Sequence, residues 1–179
     1  MVLIKAHDMD LGKCKEYDVV ILPYRDIRDV YISTVTRWGF KKDIIGEMMI
    51  NLRLFRKFLK VANVLYKYEN YGFNYNRKIV DKIVGRISGI SGGKRGLEIS
   101  DEEIACTMKE LDFMHNNIKV RFDNFENKEY REKLMCKKHN TSGGKSEKWR
   151  TYFSAEDNRK IIMNKDIRGF LKKRGYNLK

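Results

Sequence analysis

Proline is almost missing from this sequence: Pro23 is the only one in 179 residues. Collagen-like and proline-rich linker readings go with it. Cysteine is scarce as well. Cys14, Cys106 and Cys136 are scattered and odd in number, and no CxxC or Cys/His cluster suggests zinc. They read as free thiols in a reducing compartment. No apolar run approaches the ~20 residues that a membrane helix needs. Met1-Val2-Leu3-Ile4 meets Lys5 too early for a secretory signal, so a cytoplasmic protein is expected. A Walker A loop is lacking too. Gly92-Gly93-Lys94 and Gly143-Gly144-Lys145 look suitable, but Ser88 and His139 stand where the motif requires its first glycine.

Acidic residues are the minority, 24 Asp+Glu against 38 Lys+Arg, for a formal net charge of +14. That balance favours an anionic partner: nucleic acid, a phosphorylated small molecule, a sulfated glycan or an acidic membrane. The hydrophobic share of 42% excludes a wholly disordered chain. The length suits one domain over 1–179 with a sizeable core.

The pattern along the chain alternates. Val2 to Ala6 is a short apolar stretch expected to be a buried strand, and residues 8–16 a short helix or loop. Tyr17 to Leu22 is continuous and β-branched, which suits a strand buried on both faces and ended by Pro23-Tyr24-Arg25-Asp26. From Ile27 the period becomes helical, with Val30, Val35 and Trp38 near one face and Asp26 and Asp29 at the positive helix end. Residues 43–60 form a second amphipathic helix whose polar side carries Arg53, Arg56, Lys57 and Lys60. Val61 to Tyr68 reads as a strand and Asn76 to Ile87 as a helix. Ser88 to Gly96 reads as an exposed glycine-rich loop. Ser100-Asp101-Glu102-Glu103 is a capping box opening a helix through about Met114. Residues 115–138 are charged and expected to form an excursion. Ser154-Ala155-Glu156-Asp157 opens a last helix with Ile161, Ile162, Ile167, Phe170 and Leu171 inward, stopped by Gly175. Strands alternating with helices predict an α/β domain with a mostly parallel sheet. Ligands in such sheets bind beyond the carboxyl ends of the strands.

The residues at those ends are therefore the candidates. Arg25 offers a planar fork for a phosphate, and the helix that follows adds free N–H groups. Ser33, eight residues on, is about two turns into that helix and could reach the same anion. Lys5 and His7 share one side of their strand. Histidine can serve as a general base near neutral pH, and lysine can stabilise developing negative charge. Gly143-Gly144-Lys145, before Trp149, could wrap N–H groups and lysines around a phosphate. Taken singly, each has a bland reading: a surface arginine, a surface histidine, a flexible basic loop.

Together these groups resemble the sulfotransferases that use 3′-phosphoadenosine 5′-phosphosulfate. Val2-Leu3-Ile4-Lys5-Ala6-His7 is similar to that family's strand ending in Lys-x-His. Tyr17 through Ser33 resembles its 3′-phosphate motif: a strand, Arg, then Asp-Val, and Ser eight residues after the Arg. Val64 to Glu69 is similar to its strand ending in Tyr-Glu-Asp, here Tyr-Glu-Asn. Residues 139–154 resemble its late Gly/Lys-rich loop followed by Trp, and Lys172-Lys173-Arg174-Gly175-Tyr176 resembles a common ending. The resemblance implies a three-layer, P-loop-like α/β fold and transfer of a sulfuryl group to an acceptor hydroxyl or amine; the basic charge balance would suit an acidic acceptor. It implies that Arg25 and Ser33 hold the 3′-phosphate of the nucleotide, and of its product 3′-phosphoadenosine 5′-phosphate. Ser142, Gly143, Gly144, Lys145 and Lys148 would close over it, and Tyr68 would lie near the adenosine. His7 would take the acceptor proton with Lys5 assisting. The family's 5′-phosphosulfate loop, roughly Pro-Lys-[Ser/Thr]-Gly-[Ser/Thr], precedes the point where this chain starts. An N-terminally incomplete fold is therefore expected, active only if that loop is supplied. Glu147 stands where the family usually has glycine or another small residue. Residues 88–138 match poorly and are expected to be a variable, acceptor-side region.

Two other readings remain open at this point. One is a basic nucleic-acid-binding protein, using the Arg/Lys side of 53–60 and Tyr66, Tyr68, Tyr71, Phe73 and Tyr75 for stacking. The other is an inactive sulfotransferase remnant that binds the nucleotide weakly.

Overall fold

The two strands that apolar runs predict do pair, in parallel. The computed structural model describes residues 11–14, 16–38, 43–90, 98–117 and 146–178. Strand β1 is Ile21–Tyr24 and strand β2 is Val64–Lys67, with Ile21 opposite Val64 and Tyr24 opposite Lys67. Around them run helices α1 (Leu11–Cys14), α2 (Ile27–Trp38), α3 (Ile44–Leu59), α4 (Phe73–Ile90), α5 (Asp101–Asn117), α6 (Trp149–Tyr152), α7 (Ala155–Met163) and α8 (Lys165–Lys173). The class is therefore mixed α/β, mostly helical, with a two-stranded parallel sheet among the described residues. The strand expected at Val2 to Ala6 lies outside them.

The chain divides into two compact units, each drawn from two separated stretches: Met1–Arg25 with Asn51–Ile104, and Asp26–Ile50 with Ala105–Lys179. In the first unit β1 starts four residues later than the β-branched run suggests and includes Pro23. The pairing explains this. Val20 O accepts from Val64 N at 3.2 Å, and bonding sides alternate along a strand, so residues 22 and 24 face β2. The N of Pro23, which has no hydrogen to give, points the other way. Tyr24 meets Phe55 of α3 (ring centroids 5.7 Å), whereas Tyr66, of opposite parity across the register, meets Tyr75 of α4 (5.4 Å). Side chains alternate faces, so the ribbon has a helix on each side. Helix α4 is longer than expected and takes in Ser88, Gly89 and Ile90, which had read as loop; residues 91–97 lie outside the described set. Ser100 and Glu103 form the expected capping box at α5: Glu103 N donates to Ser100 Oγ (3.1 Å) and Ser100 N to Glu103 Oε2 (2.7 Å).

The core of the second unit holds Tyr31, Phe153, Ile161, Ile167, Phe170 and Leu171. The inward side of α2 differs from the one read in the sequence. Ile27, Arg28, Tyr31 and Ile32 are buried, while Val30 and Val35 are only half-buried. A charged residue counts as polar in any periodicity, so a buried arginine shifts the apparent face. The single last helix becomes two. Asn164 takes an extended conformation (ψ 115°), and its Oδ1 accepts from Asp166 N and Ile167 N, capping α8. Gly175 ends α8 as expected, at φ +70°. Tyr176 N donates to Leu171 O and Gly175 N to Lys172 O, while Tyr176 stacks on Phe170. That is a complete Schellman stop with its hydrophobic contact.

Candidate functional site

In the first unit the carboxyl ends of the two strands bring two of the candidate residues together. Because Tyr24 stands opposite Lys67, the residues that follow, Arg25 and Tyr68, leave the ribbon side by side. The Arg25 guanidinium lies over the Tyr68 ring, 5.1 Å from its centroid. Tyr68 opens a single 3₁₀ turn, Tyr68–Asn70, and is 40% exposed. Beneath it the ribbon end is braced. Lys67 N donates to the Tyr75 hydroxyl at 2.6 Å, and the Tyr66 hydroxyl donates to Asn76 Oδ1 at 3.1 Å. Burial, then the neighbouring Tyr71, Tyr75 and Tyr68, pushes the Tyr66 phenol up from its ordinary value, so it stays a proton donor. The result is a fixed edge of ribbon presenting an arginine fork against an aromatic face.

In the second unit the start of α2 holds a buried charge cluster. Asp26 caps the helix, accepting from Arg28 N at 2.9 Å. The same carboxylate takes the Arg28 guanidinium through Nε (3.0 and 3.2 Å) and Nη2 (2.6 Å). Arg28 Nη2 also donates to Asn177 O at 2.6 Å, which ties down the C-terminal segment. A buried arginine needs its charge paired and its donors bonded; Asp26 answers the charge, and Arg28 Nε and Nη2 are bonded. Its plane lies over the Trp149 ring at 3.5 Å, and Arg150 lies over the same ring at 4.6 Å. Asp29, fully buried, accepts from Glu147 N (2.7 Å) and Trp149 N (3.2 Å). Trp149 Nε1 and Arg28 Nη1 are buried donors with no hydrogen-bond partner among the described residues.

Asp29 thereby fastens the segment at 147–149 to α2, and Glu147 adopts φ +61° to present its N–H. Glycine takes that conformation freely; other residues take it at a cost. A glycine at 147 would take this conformation without strain. Glu147 keeps the turn with a side-chain bond to Arg150 (3.1 Å), which also holds its carboxyl below the ordinary value.

Of the residues singled out in the sequence, Arg25 and Tyr68 are brought together. Ser33 is half-buried on α2, one turn beyond Asp29 on the same side. Lys148 is half-buried between Glu147 and Trp149. Lys5, His7, Ser142, Gly143, Gly144 and Lys145 lie outside the described residues. Sequence reasoning passed over Arg28 and Asp29 as binding or anchoring residues; their signal was the repeated Arg-Asp pair at 25–26 and 28–29. Among the described residues no group of three or more His, Cys, Asp or Glu is placed to hold a metal ion, and no helix is long and apolar enough to cross a membrane. No family model matches the chain, and neither a curated protein nor a solved structure does.

Proposed function

We propose that this chain is a sulfotransferase of the type that uses 3′-phosphoadenosine 5′-phosphosulfate, on a three-layer, P-loop-like fold. One observation carries the reading: Arg25 and Tyr68 stand together at the carboxyl ends of two parallel strands, the guanidinium over the ring. A fork beside an aromatic face suits a phosphate joined to a nucleoside. The helices on both faces of the ribbon, and the fastening of 147–149 to the helix that bears Ser33, agree with it.

In this reading Arg25 takes the 3′-phosphate, and Ser33, Ser142, Gly143, Gly144, Lys145 and Lys148 keep the nucleotide-binding roles that the resemblance implies for them. His7 removes the acceptor proton as the acceptor oxygen or nitrogen bonds to sulfur. The bond from sulfur to the phosphate oxygen breaks, and 3′-phosphoadenosine 5′-phosphate leaves with that electron pair, its charge met by Lys5. Positioning and charge stabilisation supply most of the acceleration. A cytoplasmic location goes with this reading.

Titration calorimetry with 3′-phosphoadenosine 5′-phosphate tests it. A hydrogen bond to a charged group is worth about 1.5–3 kcal/mol, so Arg25→Ala should weaken binding roughly 10- to 100-fold. Absence of binding to the unaltered protein would reject the proposal.

A further inference from the structure

One part of the first unit has no role in that reading. Of the residues from 51 to 86, nine are Lys or Arg and only Glu69 and Asp81 are acidic. On α4, Asn74, Lys78, Lys82 and Arg86 recur every fourth residue, and all are exposed. Residues four apart share one face of a helix, rising about 6 Å per step. This row thus sets three positive charges in line at even intervals. Asp81, beside it, is already engaged by Arg77 at 2.9 Å. At the head of the row stand three exposed rings, Tyr68, Tyr71 and Phe73, with 40%, 43% and 36% of their surface open. Two of them lie where the chain turns into α4: Tyr71 N donates back to Tyr68 O at 3.2 Å, and Phe73 is the first residue of the helix. Exposed aromatics at the end of a row of cations are unusual on a surface that meets only water, since large apolar side chains gain by burial.

The geometry points to a binding track for single-stranded nucleic acid on α4. Phosphates lie along Lys78, Lys82 and Arg86, and bases stack on Tyr71 and Phe73, with Tyr68 the ring nearest the ribbon. Three rings exceed what one nucleobase can cover, which favours an oligonucleotide over a mononucleotide. Rings beside a row of cations also favour it over an acidic polypeptide, which has no flat faces to stack. The track is independent of the nucleotide reading except at Tyr68.

Fluorescence anisotropy with a labelled oligothymidylate of about 20 nucleotides tests it, at two salt concentrations. The unaltered protein should bind, and more weakly at higher salt. K78E/K82E/R86E should lower affinity at least about tenfold. R53E/K57E/K60E, which removes the same charge from exposed positions on α3 and just after it, should lower it much less. Y71A/F73A should lower affinity about tenfold or more for the single strand, and little for a duplex of the same length. Circular dichroism identifies any variant that has not folded, and K78Q/K82Q then replaces the charge reversal. No binding by the unaltered protein overturns the inference. So do equal losses from the α3 and α4 variants, an unaffected Y71A/F73A, or equally good competition by polyglutamate. Calorimetry with 3′-phosphoadenosine 5′-phosphate on Y71A/F73A keeps the two readings apart: its signal belongs to Arg25 and should persist.

Discussion

Asp29 is the residue on which the second unit turns. Its two carboxylate oxygens accept backbone N–H groups, Oδ2 from Glu147 and Oδ1 from Trp149, and the side chain is fully buried. In Asp29→Asn, one of the two positions becomes an NH₂ facing an N–H. A buried donor left unanswered costs about 1–3 kcal/mol, so urea unfolding should show a loss of that order. Glu147 allows the opposite experiment. At φ +61° a residue with a Cβ is strained, whereas its ion pair with Arg150 is exposed on both sides and worth little. Glu147→Gly keeps the N–H bond to Asp29 and relieves the backbone. It should leave stability unchanged or raise it by up to about 1 kcal/mol, seen as an equal or higher Tm. Arg28 shows why such positions hide in a sequence. Nothing in an Arg-Asp-x-Arg-Asp string says which arginine faces solvent. Arg28 goes inside because Asp26, the Asn177 carbonyl and the Trp149 ring are there to receive it.

Elements were legible where local chemistry decides them. Capping boxes at Ser100 and Ser154 and the stop at Gly175 each satisfy orphan backbone groups within a few residues. They need no distant partner and could be read directly. The Ser100 box also makes a pH prediction. Hydrogen bonds from the Ser100 backbone and then its side chain hold the Glu103 carboxyl below its ordinary value of 4.5. A folded-state value below the unfolded one stabilises the helix above the unfolded value and is lost as pH falls through the folded one. The gap in Tm between the unaltered protein and Glu103→Gln should therefore be full above about pH 4.5 and close in more acid solution. Two elements were misread, one set by a distant partner and one by a local cap that apolar periodicity does not show. Strand β1 begins at Ile21 because β2 lies opposite, although the β-branched run starts earlier. The last helix divides at Asn164 because that side chain caps α8 better than it continues α7.

At the scale of the molecule, charge and connectivity pull apart. The +14 charge suggested an anionic partner without a location. The structure sets one concentration of it on the outward row of α4 and buries another cation, Arg28, against Asp26. Each compact unit joins stretches separated by 25 or more residues, and hydrophobic periodicity carries no information about which stretch meets which. The amino-acid sequence alone determined the mixed class, most helices, their caps and stops, and the candidates at strand ends, because these follow from interactions within a few residues. Tertiary structure alone decided that Arg25 lies over Tyr68 and that Asp29 fastens 147–149. Those contacts join residues 43 and about 120 positions apart, brought together by strand pairing and burial.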